Sequence, residues 1–441
     1  MSRSRAVAAL SLALLAASCA SAGRARAPVQ ATAADPAEAR LARIAAAARI
    51  LDEAGMPAYG SSPLSRLSMD GREWTERSLE LIAGARDYVL VCSFLLTEHP
   101  NAELVLAALA EARARGVRVY LLVDSASYYR TYPMSLEPVP AAVGRARELG
   151  LPIAEYNPIR GRRIFTLLGL LDRDHRKFWV VDGRVGVVGG QNVDHDSLRY
   201  PSEAGCIDAM AEFASPGAVA ELRDSFVDTW NAFSSERLEA GSFPVAEGRG
   251  PEPAELRLVD QGLPRRAGAE GGAGRTTAMF DALFARAGSE LLLLQCYAFP
   301  TPALLERIRQ ARARGVRVRA VLSAGHVSQR FVSGTYYGIA KLQDAGAEVY
   351  LFESPERNLL HMKMIMADGE MAAIGSANYN FRSQALSREA SVVFSDPASL
   401  ELVAARLREL EPWFRPVGRE EAEGYRTVGN LLAFLLMQVA G

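Results

Sequence analysis

The chain has 441 residues, of which 49% are hydrophobic and 23% charged, with 50 lysines and arginines against 51 aspartates and glutamates. This composition is typical of a packed globular protein and excludes the disordered, collagen-like and small disulfide-rich classes. The formal net charge of −1 excludes a whole-molecule positive field that attracts nucleic acid, so any basic site must be local.

The N-terminus has the pattern of an export signal. Two arginines precede an apolar run over 6–17, which is too short to cross a bilayer. Small residues before Cys19 resemble a bacterial lipobox, in which the cysteine is acylated; the competing interpretation is cleavage after Ala22, which gives a soluble secreted protein. We therefore expect a signal peptide over 1–18 and an exported lipoprotein of the cell envelope or periplasm, held at a membrane surface through acylated Cys19.

The body of the chain consists of two copies of an internal sequence repeat. The string ARARGVRV occurs at 112–119 and again at 311–318. In each copy a strand-sized apolar run and a helix-sized segment precede the string, and another apolar run follows it, which predicts βαβ units. We predict an α/β fold of two tandem copies of a mixed, mostly parallel sheet flanked by helices, packed as two lobes about a pseudo-twofold axis.

These repeats predict the domain organisation. A tether and leading helix occupy 19–55, and the two copies span 60–240 and 276–415. The segment 241–275 is rich in glycine, proline and charge and is predicted as a linker with one strand. The apolar end, 416–441, is predicted as a helix too short to cross a membrane, which either packs on the body or contacts a membrane surface.

Each copy carries the same set of polar residues at the same spacing. The chain has only three lysines and five histidines, and two of each stand in matching positions. The full set is His175, Lys177, Asp182 and Asn192 in the first copy and His361, Lys363, Asp368 and Asn378 in the second. In H-x-K on an extended strand both side chains point to one face. An Asp-Gly turn and a returning apolar run bring the asparagine beside them, so the two copies together predict one pocket.

Two imidazoles, two ammonium groups and two amides suit a phosphodiester. The lysine and asparagine donors can hold its negative charge. One imidazole can attack phosphorus while the other protonates the departing alkoxide, and water or an alcohol then opens the phosphohistidine. Because the two copies are symmetric, their spacing leaves open which histidine is the nucleophile.

The pattern H-x-K-x(4)-D followed by G-x-x-N, present twice, resembles the HKD motif of the phospholipase D superfamily. Its flanking residues resemble the bacterial cardiolipin synthase and phosphatidylserine synthase branch. The resemblance implies a bilobed phospholipase D fold that acts without metal or cofactor, with His175 as nucleophile and His361 as general acid. The catalytic set that it implies is His175, Lys177, Asp182, His361, Lys363 and Asp368. The implied phosphate-binding residues are Lys177, Asn192, Lys363 and Asn378.

Asp182 and Asp368 also have a structural interpretation, since Asp-Gly marks a turn whose carboxylate satisfies local backbone groups. The resemblance further implies an acidic residue downstream of each motif that orients an imidazole. In the second copy this residue is Glu389. In the first copy constant offset indicates Glu203, whereas alignment of the following strand indicates Asp208, which we prefer because it keeps that strand in register.

Further acidic residues lie near the first motif, at Asp172, Asp174 and 194–196. They have no metal-ligand spacing on a defined element. We therefore predict a hydrated loop there and no metal site.

The predicted function is a phospholipase D-type phosphodiesterase or transphosphatidylase similar to a cardiolipin synthase. We expect a phosphatidylglycerol-like substrate, an alcohol or water as acceptor, and a monomer without a nucleic-acid partner. A nuclease of the same superfamily is an alternative, which the balanced charge and the export signal disfavour. A catalytically inactive lipid-binding lipoprotein is another, which two complete motifs disfavour. Head group and acceptor stay open.

Overall fold

The computed structural model describes residues 36–126, 141–158, 172–247, 254–263, 274–325 and 328–440. The predicted signal peptide and Cys19 lie outside these residues, as does part of the predicted linker. Among the described residues, no helix combines the length and apolar character needed to cross a membrane.

The elements of the first half alternate strands with helices, as the repeat predicts. They are α1 (Pro36–Glu53), β1 (Tyr59–Ser61), β2 (Arg66–Asp70), α2 (Gly71–Gly84), β3 (Tyr88–Ser93), α3 (Pro100–Ala114), β4 (Arg118–Asp124), α4 (Ala141–Glu148), β5 (Ile153–Tyr156), β6 (Arg173–Asp174), β7 (Phe178–Val181), β8 (Val185–Gly189), α5 (His195–Leu198), β9 (Cys206–Phe213) and α6 (Pro216–Phe233).

The second half repeats this order. Its elements are β10 (Ala254–Gln261), α7 (Arg275–Arg286), β11 (Glu290–Gln295), α8 (Pro302–Ala313), β12 (Arg317–Ser323), α9 (Gln329–Asp344), β13 (Glu348–Phe352), β14 (Leu359–Leu360), β15 (Met364–Ala367), β16 (Met371–Gly375), α10 (Phe381–Ala385), β17 (Ser387–Phe394), α11 (Pro397–Leu410), β18 (Phe414–Pro416), α12 (Arg419–Gly424) and α13 (Val428–Ala440).

Each half builds a mixed sheet with helices packed against it. The first sheet has the order β14-β9-β8-β7-β3-β4-β5, with β2 also pairing with β9; the second has the order β1-β10-β17-β16-β15-β11-β12-β13-β18, with β6 also pairing with β17. The α3 and α8 helices end where Gly116 and Gly315 adopt φ angles of 97° and 86°, which a side chain disfavours. The two mixed α/β sheets flanked by helices confirm the predicted fold class.

The prediction that the sheets are mostly parallel needs correction. Parallel pairing runs through β3-β4-β5 and β11-β12-β13, where helices make the crossovers. Among the strands that the structure describes, however, antiparallel pairs outnumber parallel pairs in both sheets. The physical reason is that each motif strand returns through a tight Asp-Gly turn, as β7–β8 and β15–β16 do, and a short turn can join only antiparallel neighbours.

The two halves exchange short strands. The two-residue strand β6 of the first half pairs with β17 of the second sheet, and the two-residue strand β14 of the second half pairs with β9 of the first sheet. N-terminal elements also join the second sheet, since β1 pairs with β10 and α1 packs on α7. One continuous apolar core contains side chains of both halves, among them Phe226 and Val392. The halves therefore form one packed unit around their shared boundary.

Candidate active site

Strand exchange places the first motif histidine opposite a carboxylate of the other half. In the β6–β17 pair, Asp174 lies opposite Arg388. His175 is the next residue, and its backbone N–H donates to the Arg388 carbonyl oxygen at 3.0 Å. This register brings the His175 Nδ1 within 3.0 Å of the Glu389 carboxylate.

The second motif histidine is held in the same way by the first half. Leu360 lies opposite Ile207, and the His361 backbone N–H donates to the Ile207 carbonyl oxygen at 2.7 Å. The His361 Nδ1 then lies 2.6 Å from Asp208 Oδ2. Glu203, the alternative from constant offset, is exposed and accepts a hydrogen bond from its neighbour, the Tyr200 backbone N–H, at 3.1 Å. The structure thus brings Asp208 to the imidazole and leaves Glu203 outside the site.

The two histidine–carboxylate pairs leave one nitrogen of each ring available. The carboxylates of Glu389 and Asp208 are each 1% exposed, whereas the imidazoles of His175 and His361 are 15% and 19% exposed. A carboxylate at Nδ1 favours the tautomer with the proton on that nitrogen, which leaves a lone pair on Nε2. Among the described residues neither Nε2 has a hydrogen-bond partner. Each imidazole can therefore act as a nucleophile or a base through Nε2.

The ammonium group of each motif lysine contacts the backbone of its own motif histidine. The Lys177 ammonium donates to the His175 carbonyl oxygen at 2.7 Å and lies 4.9 Å from the centre of the Phe94 ring. In the second half the Lys363 ammonium donates to the His361 carbonyl oxygen and lies 3.7 Å from Asp208 Oδ2. Each buried cation is therefore held by its own motif backbone and by one neighbouring group.

One contact in the second half is incompatible with the others. The Lys363 ammonium also lies 2.7 Å from the His361 Nδ1, but this nitrogen cannot donate to Asp208 and accept from Lys363 together. The charged carboxylate is the stronger partner for an N–H donor. We therefore assign the proton to Nδ1 and the lysine to the carbonyl oxygen and the carboxylate.

The motif asparagines lie at the ends of the returning strands. The Asn192 Oδ1 accepts from the Leu95 backbone N–H at 3.2 Å, and the Asn378 Nδ2 donates to the Tyr297 hydroxyl at 2.9 Å. The Asn378 Oδ1 is buried without a hydrogen-bond partner among the described residues. Both side chains thus fix the segments that follow β3 and β11 beside the motif.

The motif aspartates are not brought to the imidazoles. Asp182 lies at the other end of β7 from His175, with a φ of 51°, and accepts from three successive backbone N–H groups at 2.8–2.9 Å. Asp368 has a φ of 55° and caps the matching loop before β11 through three backbone N–H groups and the Ser289 hydroxyl. Both carboxylates therefore hold the loop that begins a central strand.

Burial and neighbouring cations depress the basicity of the site. Burial, followed by the charges of Lys177 and Lys363, lowers the pKa of His175 well below 6.5, and His361 contributes in the same direction. Burial and the Lys363 charge lower the pKa of His361 to about 4. Burial also lowers the pKa of Lys177 to about 7 and raises that of Glu389 to about 8, an increase that the charge of Lys177 opposes; the Nδ1–H tautomer of His175 requires Glu389 in its ionised form. The two imidazoles share one electrostatic environment, in which a bound anion favours their protonation.

Several residues of the site were not found from the sequence. The Ser376 hydroxyl donates to Glu389, while its counterpart Gly190 has no side chain because a Cβ there would lie 2.3 Å from Asp208 Oδ1. The Phe94 ring packs edge-on to His175 with centroids 4.8 Å apart. Phe94 and Tyr297 follow the apolar runs of β3 and β11, and this position at the carboxyl end of a buried strand is the signal that could have identified them.

Behind the first motif lies a buried network of charges. Arg176 is fully buried and forms ion pairs with Asp174 at 2.7 Å and with Asp260 of the second half at 3.1 Å. It also donates to the Thr229 hydroxyl at 3.0 Å, to which Arg388 donates at 2.6 Å. This network joins the two halves directly behind His175.

The predicted hydrated loop is wrong for most of the acidic residues considered as a metal cluster, because Asp172, Asp174 and Asp194 are 9%, 2% and 1% exposed and have partners within the protein. Asp174 pairs with Arg176, and Asp194 caps α5 by accepting from the Ser197 backbone N–H at 2.9 Å. Within the described ranges no group of three or more histidine, cysteine, aspartate or glutamate side chains is placed to hold a metal ion.

Known proteins are similar to this chain in sequence and in fold. A family model described as "Cardiolipin synthase, PLD-like domain" matches residues 78–230 and 281–411. "Cardiolipin synthase A" of Pseudomonas aeruginosa (strain LESB58) is 27% identical over 382 residues, which cover 85% of this chain and 73% of that protein. The protein of the same name from Pseudomonas putida (strain GB-1) is 26% identical over 360 residues, 80% and 69% of the two chains. The crystal structure of phosphatidylserine synthase from Haemophilus influenzae Rd KW20 superposes with a TM-score of 0.65 at 14% identity, covering 90% of this chain and 97% of that one, so the two share a fold.

Proposed function

This chain belongs to the cardiolipin synthase family of PLD-like domains, and we propose that it transfers phosphatidyl groups between alcohols through a phosphohistidine. The substrate is a glycerophospholipid similar to phosphatidylglycerol, and the acceptor is an alcohol or water. The observation that carries the proposal is the crossed pairing of His175 with Glu389 and of His361 with Asp208. Each pair presents an imidazole whose Nδ1 is held by a carboxylate and whose Nε2 has no hydrogen-bond partner among the residues that the structure describes.

In the first step the Nε2 lone pair of His175 attacks the phosphorus of the bound lipid. A nitrogen–phosphorus bond forms, the bond from phosphorus to the head-group oxygen breaks, and protonated His361 supplies the proton that the departing alkoxide takes. Lys177 and Lys363, together with Asn192 and Asn378, stabilise the negative charge on the phosphoryl oxygens.

In the second step neutral His361 removes a proton from the acceptor. The acceptor oxygen attacks phosphorus, the nitrogen–phosphorus bond breaks and His175 is regenerated. An anionic substrate supplies the means to protonate His361, because a nearby phosphate raises an imidazole pKa that burial has lowered. The assignment of His175 as nucleophile is part of the proposal and follows the family resemblance.

Product analysis tests the proposal. The purified protein is incubated with phosphatidylglycerol vesicles with and without added glycerol, and lipid products are measured by mass spectrometry. Cardiolipin is expected from transfer to a second lipid and phosphatidic acid from hydrolysis, with both lost in His175→Ala. If neither product exceeds the His175→Ala level, the proposal is wrong, and plasmid nicking that depends on His361 would then identify a nuclease.

The proposal includes export and attachment to a membrane through acylated Cys19, with the site working as a monomer. Radioactive palmitate incorporation that disappears in Cys19→Ser is the expected result. An unlabelled mature protein that begins after Ala22 would instead establish the soluble secreted form.

A further inference from the structure

The C-terminal helix α13 carries apolar side chains on two sides. One side is buried through Phe434 and Met437, which are 7% and 4% exposed. The opposite side exposes four apolar residues to solvent. The last three follow the first by four, seven and eight positions, which places all of them on one face of the helix. This outer stripe consists of Val428, Leu432, Leu435 and Leu436, which are 74%, 62%, 39% and 43% exposed.

The outer stripe is electrically neutral. The helix sequence VGNLLAFLLMQVA contains no charged residue. The nearest preceding cation, Arg426, is engaged by Asp344 and Glu423, each at 2.7 Å. The chemistry of the stripe therefore matches an apolar partner better than a charged one.

The buried side of α13 connects the outer stripe to the candidate active site. The Phe434 ring lies 5.3 Å from Tyr337 and 6.4 Å from Phe299, measured between centroids. Phe299 stacks on Tyr297 at 4.9 Å, and the Tyr297 hydroxyl accepts the hydrogen bond from Asn378. The exposed leucines thus sit on a helix that is anchored to the same aromatic side chains that border the site.

We propose that the outer stripe docks the protein on the surface of the bilayer that contains its substrate. The inference rests on the proposed function, because a lipid phosphodiester must be reached at a membrane surface. A 13-residue helix is about 20 Å long and lies in the headgroup region with its apolar side turned towards the acyl chains. A second copy of the chain fits less well, since one short stripe offers far less than the roughly 800 Å² per partner of a stable interface.

The first test locates the helix directly. Tryptophan is introduced by Leu432→Trp and, as a matched control, by Leu104→Trp on α3 of the first half, where the leucine is 51% exposed. Full-length Cys19→Ser protein is mixed with phosphatidylcholine vesicles that contain brominated lipids, and fluorescence is compared with the parent. Quenching is expected for Leu432→Trp alone, and equal quenching of the two variants overturns the proposal.

The second test measures binding. In vesicle flotation, Leu432→Asp with Leu436→Asp is expected to lower partitioning by about tenfold or more, while Leu104→Asp stays within about twofold of the parent. Binding is expected to persist in high salt, because the stripe carries no charge. Binding that is unchanged by the two aspartates, or that salt abolishes, contradicts docking through the stripe. A loss of oligomeric mass without a loss of vesicle binding assigns the stripe to a second copy instead.

Both binding tests are repeated in His175→Ala so that they do not depend on turnover. If the parent protein binds vesicles through the stripe but makes no more lipid product than His175→Ala, the proposed function is refuted and docking is left intact. Turnover on vesicles that is unaffected by Leu432→Asp would refute docking and leave the function intact. A soluble short-chain phosphatidylglycerol serves as the activity control, since its turnover is expected to be the same in the parent and in Leu432→Asp.

Discussion

The two halves present the same reactive groups on different supports. Around His175 the flanking residues are Asp174 and Arg176, which belong to the buried network of charges. Around His361 the equivalent residues are Leu360 and Met362, which lie in the apolar core. Both histidines nevertheless reach a carboxylate of the opposite half through the same strand register. The comparison teaches that backbone pairing positions the reactive groups. The residues that flank each histidine can differ, being charged in the first half and apolar in the second.

The largest expected difference between the halves is the role of each histidine. His175→Ala is expected to lower kcat by about 10⁴-fold or more, because it removes the nucleophile, whereas His361→Ala is expected to lose about 10²–10⁴-fold as a general acid and base. Rapid denaturation and digestion near neutral pH, which preserve the acid-labile nitrogen–phosphorus bond, followed by mass spectrometry after a short exposure to substrate, should find a phosphatidyl group on His175 in the His361→Ala protein. A phosphatidyl group on His361 in the His175→Ala protein would reverse the assignment.

The next largest effect concerns stability. Arg176→Met leaves the buried Asp174 and the partly buried Asp260 without their main partner and is expected to lower the free energy of unfolding by about 3–5 kcal/mol. Met362→Leu at the equivalent position of the second half conserves volume and is expected to lose less than about 1.5 kcal/mol. Urea unfolding followed by circular dichroism measures both.

A double variant sharpens the same comparison. Asp174→Leu with Arg176→Met copies the apolar support of the second half and is expected to recover part of the stability lost in Arg176→Met, because one buried charge is removed with its partner. An Arg176→Met protein that unfolds at the parental urea concentration would show that the network contributes little.

The crossed carboxylates are expected to matter in both halves. Asp208→Asn and Glu389→Gln replace the carboxylate that accepts the Nδ1–H with an amide. The amide can also donate to Nδ1, which favours the tautomer with the proton on Nε2. Each variant is therefore expected to lower kcat by about 100-fold or more. Glu203→Gln is the matched control and is expected to leave kcat unchanged, since Glu203 is exposed on a turn. A loss of activity in Glu203→Gln with none in Asp208→Asn would restore the constant-offset interpretation.

The smallest expected effect is a pH dependence that belongs to the first half. Burial lowers the pKa of Lys177 to about 7, so its positive charge is present below that pH and is lost as the pH rises. The KM for phosphatidylglycerol is therefore expected to rise by about fivefold between pH 7 and pH 8. In Lys177→Arg the charge persists and the rise is expected to shrink to the part that comes from ionisation of Glu389, whose pKa is about 8, whereas the control Lys341→Arg, on α9, keeps the whole rise.

Much of the fold and most of the candidate site could be predicted because the repeated pattern reports short-range geometry. The spacing of His175 and Lys177 on one strand, and the turn at Asp182, depend only on neighbours in sequence. The roles of these residues stay predictions until the experiments above are done. The pattern could not show the crossing of the two halves, since β6 and β14 are only two residues long and have no periodicity of their own.

The support of the first motif was also beyond prediction, for a different reason. Arg176 stands in the variable position of H-x-K, where an arginine usually indicates a solvated face. Its burial depends on Asp260, which is far away in the chain and belongs to the second half. By contrast, alignment of the following strand is enough to prefer Asp208 over Glu203, and the pairing of β9 with β14 is what brings Asp208 to His361.

The exchanged strands also determine what happens when the two halves are expressed as separate fragments. Each exchanged strand brings the histidine that follows it to a carboxylate of the other half. One copy by itself therefore has a histidine without its carboxylate partner and a carboxylate without its histidine partner. A gene fragment that encodes one copy should yield an inert monomer, and two fragments expressed together should regain turnover only by rebuilding both crossings at once. Activity is therefore expected only when both halves are present and both exchanged strands are paired.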